Sequence, residues 1–385
     1  MKISILTSNF SENCFGRAWL LAKLLQKNYG IEIIGPAFGD GIWKPLKDEC
    51  DFPIKMVKGY PNGQFEFKKM LRAITGDVIY ASKPRMSSFG VGLLKKIISG
   101  KPLVLDIDDW EPGFLGDSYS SLIWYKKINA FRLSASDWKS EHYSIIFNKL
   151  TWCANEITVS GNTLQQIYNG KIIWHTRDDF IFEPKKFNCN ELKEKHLNLH
   201  HENNFIIGFI GTPRPHKGLE ILIEAFRRIE NPHLFLLIVG LDESPYSRCI
   251  ITKIDTLKIR ERAFLFPEQP FELLPEFLSL TDLIVIPQSK RSASYGQVPA
   301  KIFDAMAMGK PIIATETSDI PRILNGCGFV VSPDNPEKLA DAINYLINNP
   351  KIASEFGRKA RIKFKKYYSW EKMQDSLSCI FNKYI

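Results

Sequence analysis

The stretch from Asp282 to Thr315, DLIVIPQSKRSASYGQVPAKIFDAMAMGKPIIAT, places one carboxylate, Asp304, in the first turn of a helix with Lys301 beside it. A carboxylate can accept two hydroxyl hydrogen bonds, and a helix N-terminus offers backbone donors to an anion. Together they suit the ribose and the diphosphate of a nucleotide. The flanking elements would hold these groups in place. LIVIP is a continuous β-branched run expected of a parallel strand buried on both faces, KIFDAMAM is a helical window, Gly309 stops it, and PIIAT restarts a strand.

A second junction of the same kind is IGTPRPHKGLEILIEAF, Ile210 to Phe226, where a glycine-bearing turn leaves a strand and opens a helix. Arg214 and Lys217 are two cations placed to neutralise a diphosphate there. In the first half, VLDIDDWEPG ends a strand with Asp106, Asp108, Asp109 and Glu111. Such carboxylates can be metal ligands, a general base or hydrogen-bonding anchors. DVIYASKPR ends another strand with Lys83 and Arg85, candidates for an anionic acceptor. WHTRD, Trp174 to Asp178, puts His175 and Arg177 at a hinge or a cleft.

The elements that must carry these residues alternate strand and helix in both halves: KISILT, IEIIGP, DVIYAS, PLVLDIDD and NEITVS, then FIIGFIG, LFLLIVG, LIVIP, PIIAT and GFVV. That rhythm predicts parallel βαβ units. A polar segment after Phe182 reads as a crossing between domains. The expected fold class is α/β, with two doubly wound Rossmann-like domains. They cover 1–182 and 183–367, with a final helix over 368–385 packing back on the first, and the ligand lies at the carboxyl ends of the strands.

The two junctions resemble the donor-binding signature of GT-B glycosyltransferases of family 4 (glycosyl transferases group 1). Gly211 to Lys217-Gly218 matches that family's spacing, with Arg214 two positions later than the common arginine. Asp304, in Asp-Ala-Met-Ala, stands where the family has a ribose-binding glutamate, and Gly296 stands where it has the glutamate that contacts the donor hexose. The resemblance implies donor contacts at Gly16, Gly211, Arg214, Lys217, Gly296, Gln297, Val298, Lys301 and Asp304. It places Asp108 or Asp109 where a histidine often stands beside the reacting sugar, which makes these two the catalytic candidates. Arg17, Lys83 and Arg85 are the acceptor candidates. The implied activity is a retaining, metal-independent transfer of a hexose from a nucleotide diphosphate sugar to a hydroxyl acceptor, in bacterial polysaccharide or glycolipid synthesis. No cofactor is expected. Two other readings stay open, an inert nucleotide-sugar-binding subunit and a GT-B epimerase.

Composition bounds the rest. The 385 residues fit two domains, and 44% hydrophobic with 24% charged residues is usual for a globular protein. The seven cysteines form no CxxC pair and the seven histidines no HExxH spacing, which argues against a disulfide framework or zinc site. No apolar run is long enough to span a bilayer and the N-terminus lacks a signal-peptide core, so a cytoplasmic protein is expected. The net charge of +9 suits an anionic partner. No nucleic-acid-binding motif is present, so the expected partners are a nucleotide sugar, a glycan or lipid-linked acceptor, and an anionic membrane surface on the inner face of the cell membrane. The aromatic and basic cluster from Trp124 to Arg132 is the segment expected to meet that surface.

Overall fold

A computed structural model describes residues 1–116, 138, 141–199 and 204–385. The Trp124 to Arg132 cluster lies outside the described residues. The chain forms two compact units: unit 1 is Met1–His175, Arg291–Val298 and Glu371–Ile385, and unit 2 is Thr176–Lys290 and Pro299–Trp370.

Unit 1 is built on a seven-stranded sheet in the order β3-β2-β1-β4-β5-β6-β7: β1 Lys2–Leu6, β2 Gly30–Ala37, β3 Ile54–Lys58, β4 Val78–Ser82, β5 Leu103–Ile107, β6 Glu156–Val159 and β7 Lys171–Ile172. Every pairing in it is parallel. β4 and β5 are buried at every residue, as a strand covered on both faces must be. Phe89, Val91, Leu103, Leu105 and Phe147 fill one side of the sheet. The last helix, Trp370–Phe381, packs into this unit from Glu371 onward. Tyr80 meets Phe381 with ring centroids 5.2 Å apart, Tyr29 Oη donates to Asn382 Oδ1 at 2.5 Å, and Gln374 donates to the Leu24 carbonyl at 3.2 Å.

Unit 2 has a six-stranded parallel sheet in the order β10-β9-β8-β11-β12-β13: β8 Phe205–Ile210, β9 Leu234–Leu241, β10 Ala263–Pro267, β11 Leu283–Ile286, β12 Ile312–Thr315 and β13 Phe329–Val331. Its helices carry their own start signals. Asn335 caps the helix Pro336–Asn348 by accepting from the Lys338 amide at 2.9 Å, with proline at the first helical position. Ser244 caps Pro245–Thr256 in the same way. In the helix Leu219–Arg227, Leu219, Leu222, Ile223 and Phe226 recur at one-face spacing and are fully buried. The sequence reads the segment after Phe182 as a polar crossing, whereas Cys189–Leu197 is a helix capped by Asn188.

The sequence places Arg291–Val298 in the second domain, but in the structure it groups with unit 1. Ser292 Oγ donates to the Gly113 carbonyl at 2.8 Å, Gln297 Nε2 donates to Asp109 Oδ1 at 2.9 Å, and Tyr295 packs edge-on against Trp110 with centroids 5.4 Å apart. These contacts hold the loop that follows β11. All seven cysteines are free thiols. Among the described residues no helix is long and apolar enough to cross a membrane.

Candidate functional site

In unit 2, β8 runs into Gly211, whose amide donates to the Val239 carbonyl at 2.8 Å, and the chain then forms a 3-10 turn over Pro215–Lys217. Gly218 ends the turn at φ +65, and a Cβ there would lie 1.9 Å from the Pro287 carbonyl oxygen. Only glycine lets this turn press against the end of β11, which is the physical reason for the lysine-glycine pair. The Ser289 amide donates to His216 O at 2.9 Å and fixes the approach. Lys217 Nζ donates to the Thr212 carbonyl at 2.6 Å, folding its ammonium back over the turn.

Lys301, at the start of the helix Ala300–Ala307, extends its side chain over Gly211; the position of a Cβ on Gly211 would be 3.6 Å from Nζ. The ammonium lies 3.5 Å from the centroid of the Phe209 ring. It is buried and has no hydrogen-bond partner among the described residues. Burial first, and then the nearby Lys217, pushes its pKa well below the ordinary lysine value, with Asp304 opposing. A buried cation without a partner is costly, and an anion is the ligand that would satisfy it.

Arg214 stands across the turn, and its guanidinium is paired with Asp242 at 2.7 Å. Asp242 also accepts from Ser244 and Ser247, and its carboxyl is held well below the usual range by these partners against the effect of burial. Arg214, expected to face a diphosphate, thus has Asp242 as an internal counter-charge. Thr212 Oγ1 donates to Glu268 Oε1 at 3.1 Å. Glu268 follows β10, which carries no strand signal in the sequence, and Asp242 follows β9 but becomes a site residue only through its pairing with Arg214. Asp304 is buried and pairs with Arg177, Nε to Oδ1 2.5 Å. Burial raises its pKa, and Arg177 and then Lys301 work against the rise.

The unit 1 candidates form a separate set. Gly16 sits inside the first turn of the helix Phe15–Leu25, and a Cβ added there would lie 3.6 Å from the Trp43 ring. Arg17 is turned inward: Nε and Nη2 donate to the two oxygens of Asp106 at 2.9 and 2.8 Å, and Nη2 also reaches the Ile173 carbonyl at 2.8 Å. Arg17, an acceptor candidate in the sequence, thus forms a buried pair that Thr158 completes with a 2.7 Å bond to Asp106 Oδ1. Asp106 thereby takes the anchor role among those open to this carboxylate cluster.

Lys83 and Arg85, expected at an anionic acceptor, face carboxylates of their own unit. Lys83 Nζ lies 2.7 Å from Asp108, 2.5 Å from Asp109 and 3.3 Å from Glu111, and Arg85 pairs with Glu111 at 2.5 Å. Burial disfavours the Lys83 ammonium, but Asp108, Asp109 and Glu111 outweigh it and lift its pKa well above the lysine value. Asp108 is pushed up to about 6, mainly by burial, with Asp109 adding to the rise and Lys83 opposing. Three carboxyls thus share two cations, and one of them is biased to hold a proton. Among the described residues no group of three or more His, Cys, Asp or Glu is placed to hold a metal ion.

Gly296, Gln297 and Val298 lie in unit 1 with the loop, while Gly211, Arg214, Lys217, Lys301 and Asp304 lie in unit 2. Gly296 has φ +74, and a Cβ there would stand 2.8 Å from Leu164 Cδ2 and 3.4 Å from Trp110 Cβ. The left-handed backbone and the close Leu164 side chain both disfavour a residue with a Cβ at this position.

Residues 191–363 match the model of the family described as Glycosyl transferases group 1. An uncharacterized glycosyltransferase of Methanocaldococcus jannaschii is 28% identical over 216 residues, 51% of this chain and 57% of that protein. The capsular polysaccharide biosynthesis glycosyltransferase CapM of Staphylococcus aureus is 26% identical over 208 residues, 53% of this chain and 52% of CapM. The chain spans about half the length of the curated relatives it matches. Among solved structures, HepE of Anabaena in complex with UDP and glucose superposes with TM-score 0.76 at 18% identity over 100% of both chains. WaaG, a glycosyltransferase involved in lipopolysaccharide biosynthesis, gives TM-score 0.65 at 13% identity over 97% of this chain and 99% of its own. These likenesses show the fold, a two-domain α/β GT-B architecture.

Proposed function

We propose, on the premise that residues 191–363 belong to the glycosyl transferases group 1 family, that this chain is a retaining glycosyltransferase. It moves a hexose from a nucleotide diphosphate sugar to a hydroxyl acceptor in polysaccharide or glycolipid synthesis. The observation that carries the proposal is the buried, unpartnered Lys301 ammonium over Gly211, with Lys217 near enough to depress its pKa. HepE has been crystallised with UDP and with UDP-glucose, and CapM is named for capsular polysaccharide synthesis; both support the substrate class.

Lys301 and Lys217 would stabilise charge that develops on the departing diphosphate, so the reading needs no metal for that step. Asp304 would accept hydrogen bonds from the ribose hydroxyls. The bond from the anomeric carbon to the diphosphate oxygen breaks and the bond to the acceptor oxygen forms. We assign the acceptor's hydroxyl proton to Asp108, the carboxyl lifted to about 6, with Asp109 beside it on Lys83. Lys83 and Arg85 then hold the carboxylates rather than an anionic acceptor.

A thermal-shift and calorimetric screen of the full chain against UDP, GDP, ADP and their hexose conjugates tests the proposal. The expected result is binding of at least one diphosphate, weakened tenfold or more by Lys301→Ala, and release of free nucleotide from its sugar conjugate. Failure to bind any of the three diphosphates would overturn it. A second reading, an inert nucleotide-sugar-binding subunit, is favoured by Gly296, which stands where the family has the sugar-contacting glutamate. Binding without nucleotide release across a panel of hydroxyl acceptors would select that reading.

The proposal includes a location, the cytoplasmic face of an anionic membrane. Its support in the described residues is a patch on unit 1 where Ile97, Ile98 and Trp152 are exposed, and where Lys96 Nζ joins the two segments by donating to the Cys153 carbonyl at 2.7 Å. Sedimentation with vesicles containing an anionic lipid, but not with neutral ones, is expected, and an Ile97→Ser, Trp152→Ser variant should lose it.

A further inference from the structure

The segment that opens unit 2 is fastened to the helix that carries Asp304. Thr176 Oγ1 donates to the Tyr368 carbonyl at 2.5 Å, and Tyr368 packs on Phe303 with ring centroids 5.0 Å apart. Arg361 donates to the Phe182 carbonyl at 2.9 Å, pairs with Glu183 at 2.7 Å and also donates to the Ala307 carbonyl. Within this clamp lies Arg177, only 9% exposed. Its guanidinium carbon is 5.3 Å from the Phe271 ring centroid and 5.8 Å from that of Phe182, and Nη1 donates to the Thr176 carbonyl at 2.7 Å. Beside these rings, Nε forms an ion pair with Asp304 Oδ1 at 2.5 Å.

We infer that Arg177 is a positioning residue, which holds Asp304 as an oriented carboxylate and leaves its second oxygen for the hydroxyls of a nucleoside diphosphate. The inference rests on the reading of unit 2 as a nucleotide site. A pair that served stability alone would be expected to satisfy both carboxylate oxygens. Here Arg177 Nε meets only Oδ1, as an ion pair at 2.5 Å, and no hydrogen bond closes on either Asp304 carboxylate oxygen among the described residues. The charged groups that act on Asp304 are Arg177 and Lys301, and Lys301 is itself depressed by Lys217. Burial already raises the Asp304 pKa against both cations. Without Arg177 that opposition shrinks, the carboxyl holds its proton nearer neutrality, and a protonated carboxyl has lost acceptor capacity.

The test is calorimetric titration of the full chain with UDP, GDP and ADP at pH 6 to 9, following whichever binds most tightly. In Arg177→Gln, affinity is expected to fall tenfold or more at pH 7 relative to wild type. It should recover part of the loss by pH 9 as Asp304 ionises. Arg177→Lys should keep the greater part of the affinity. In an Asp304→Asn background, removing Arg177 should change affinity less than twofold. Unchanged affinity in Arg177→Gln overturns the inference. So does a pH-independent loss that adds fully to that of Asp304→Asn, which would mark Arg177 as structural only. Should Arg177→Gln fail to fold, Arg177→Lys titrated over the same pH range decides by the same criteria. Failure of the parent reading is separable: wild type would then bind none of the three diphosphates, whereas loss of binding in Lys301→Ala beside normal binding in Arg177→Gln removes this inference alone.

Discussion

Arg17 and Asp106 face each other from the first helix and the fifth strand as a two-point pair, 2.9 and 2.8 Å, with both side chains almost wholly out of solvent. Burial disfavours the guanidinium, but the Asp106 charge and hydrogen bonds outweigh it and raise its pKa above the arginine value. Removing one partner leaves a buried charge uncompensated, so Arg17→Met should cost about 3–5 kcal/mol. A denaturant titration checks this. Adding Asp106→Leu to Arg17→Met should recover part of the loss, and full additivity of the two losses would contradict the pairing.

Gly296 should reject the carboxylate that the family usually carries there. Placing Cβ on a left-handed residue costs about 1–2 kcal/mol, and contact at 2.8 Å with Leu164 adds about 1–3 kcal/mol of overpacking. Gly296→Glu is therefore expected to loosen Arg291–Val298, read as new protease cleavage in that loop. Diphosphate affinity, set by Lys301, should change less than twofold.

Lys301→Met should move stability and binding in opposite directions. Replacing a buried cation that lacks a partner with an apolar side chain of similar length should raise ligand-free stability by about 1–2 kcal/mol. Diphosphate affinity should fall at least tenfold. The sign of the pH dependence follows from the lowered pKa. Between the folded-state value and the ordinary lysine value of about 10.4 the unfolded chain binds the extra proton, so wild-type stability rises with pH across that window. The variant should lack that slope, and a parallel rise in both proteins would count against a depressed Lys301.

Glu32 governs the acid limb of unit 1. Burial would raise its pKa, but Lys2 at 2.5 Å, Lys55 at 2.7 Å, Ser4 and the Thr75 amide outweigh burial and hold it far below the ordinary range. The resulting stability is present above the unfolded value near 4.5 and is lost as pH falls toward the folded value. Glu32→Gln should cost about 2 kcal/mol at pH 7, and its deficit should shrink below about pH 4. A melting series from pH 7 to 2.5 measures the convergence.

The sequence was legible where burial is two-sided. Strands such as β4, β5, β11 and β12 announce themselves as continuous apolar runs. The strands it missed, β3, β7 and β10, all lie at sheet edges, where one flank lacks a neighbour and the residues need not be apolar throughout. The two unit 2 junctions were readable because glycine and lysine at fixed spacing carry a mechanism. Charged side chains were harder. Arg17, Lys83, Arg85 and Arg214 all look like ligand contacts in sequence, yet each has an internal acid supplied from a distant segment. Asp242 and Glu111 reveal themselves as partners only once strand order brings them near. Lys301 differs in having no such partner among the described residues, which no sequence pattern could disclose.

The way the chain returns to unit 1 has a consequence for recombination. Unit 1 is assembled from three separate stretches, and the chain passes from one unit to the other at His175, Lys290, Val298 and Trp370. A fragment ending at His175 would lack Phe381 against Tyr80, Asn382 on Tyr29 and Ser292 on Gly113. A chimera made with a relative by one exchange near residue 176 would therefore inherit a foreign closing helix and a foreign loop for its first unit. Grafting a new unit 1 calls for moving 1–175, 291–298 and 371–385 as one inheritance.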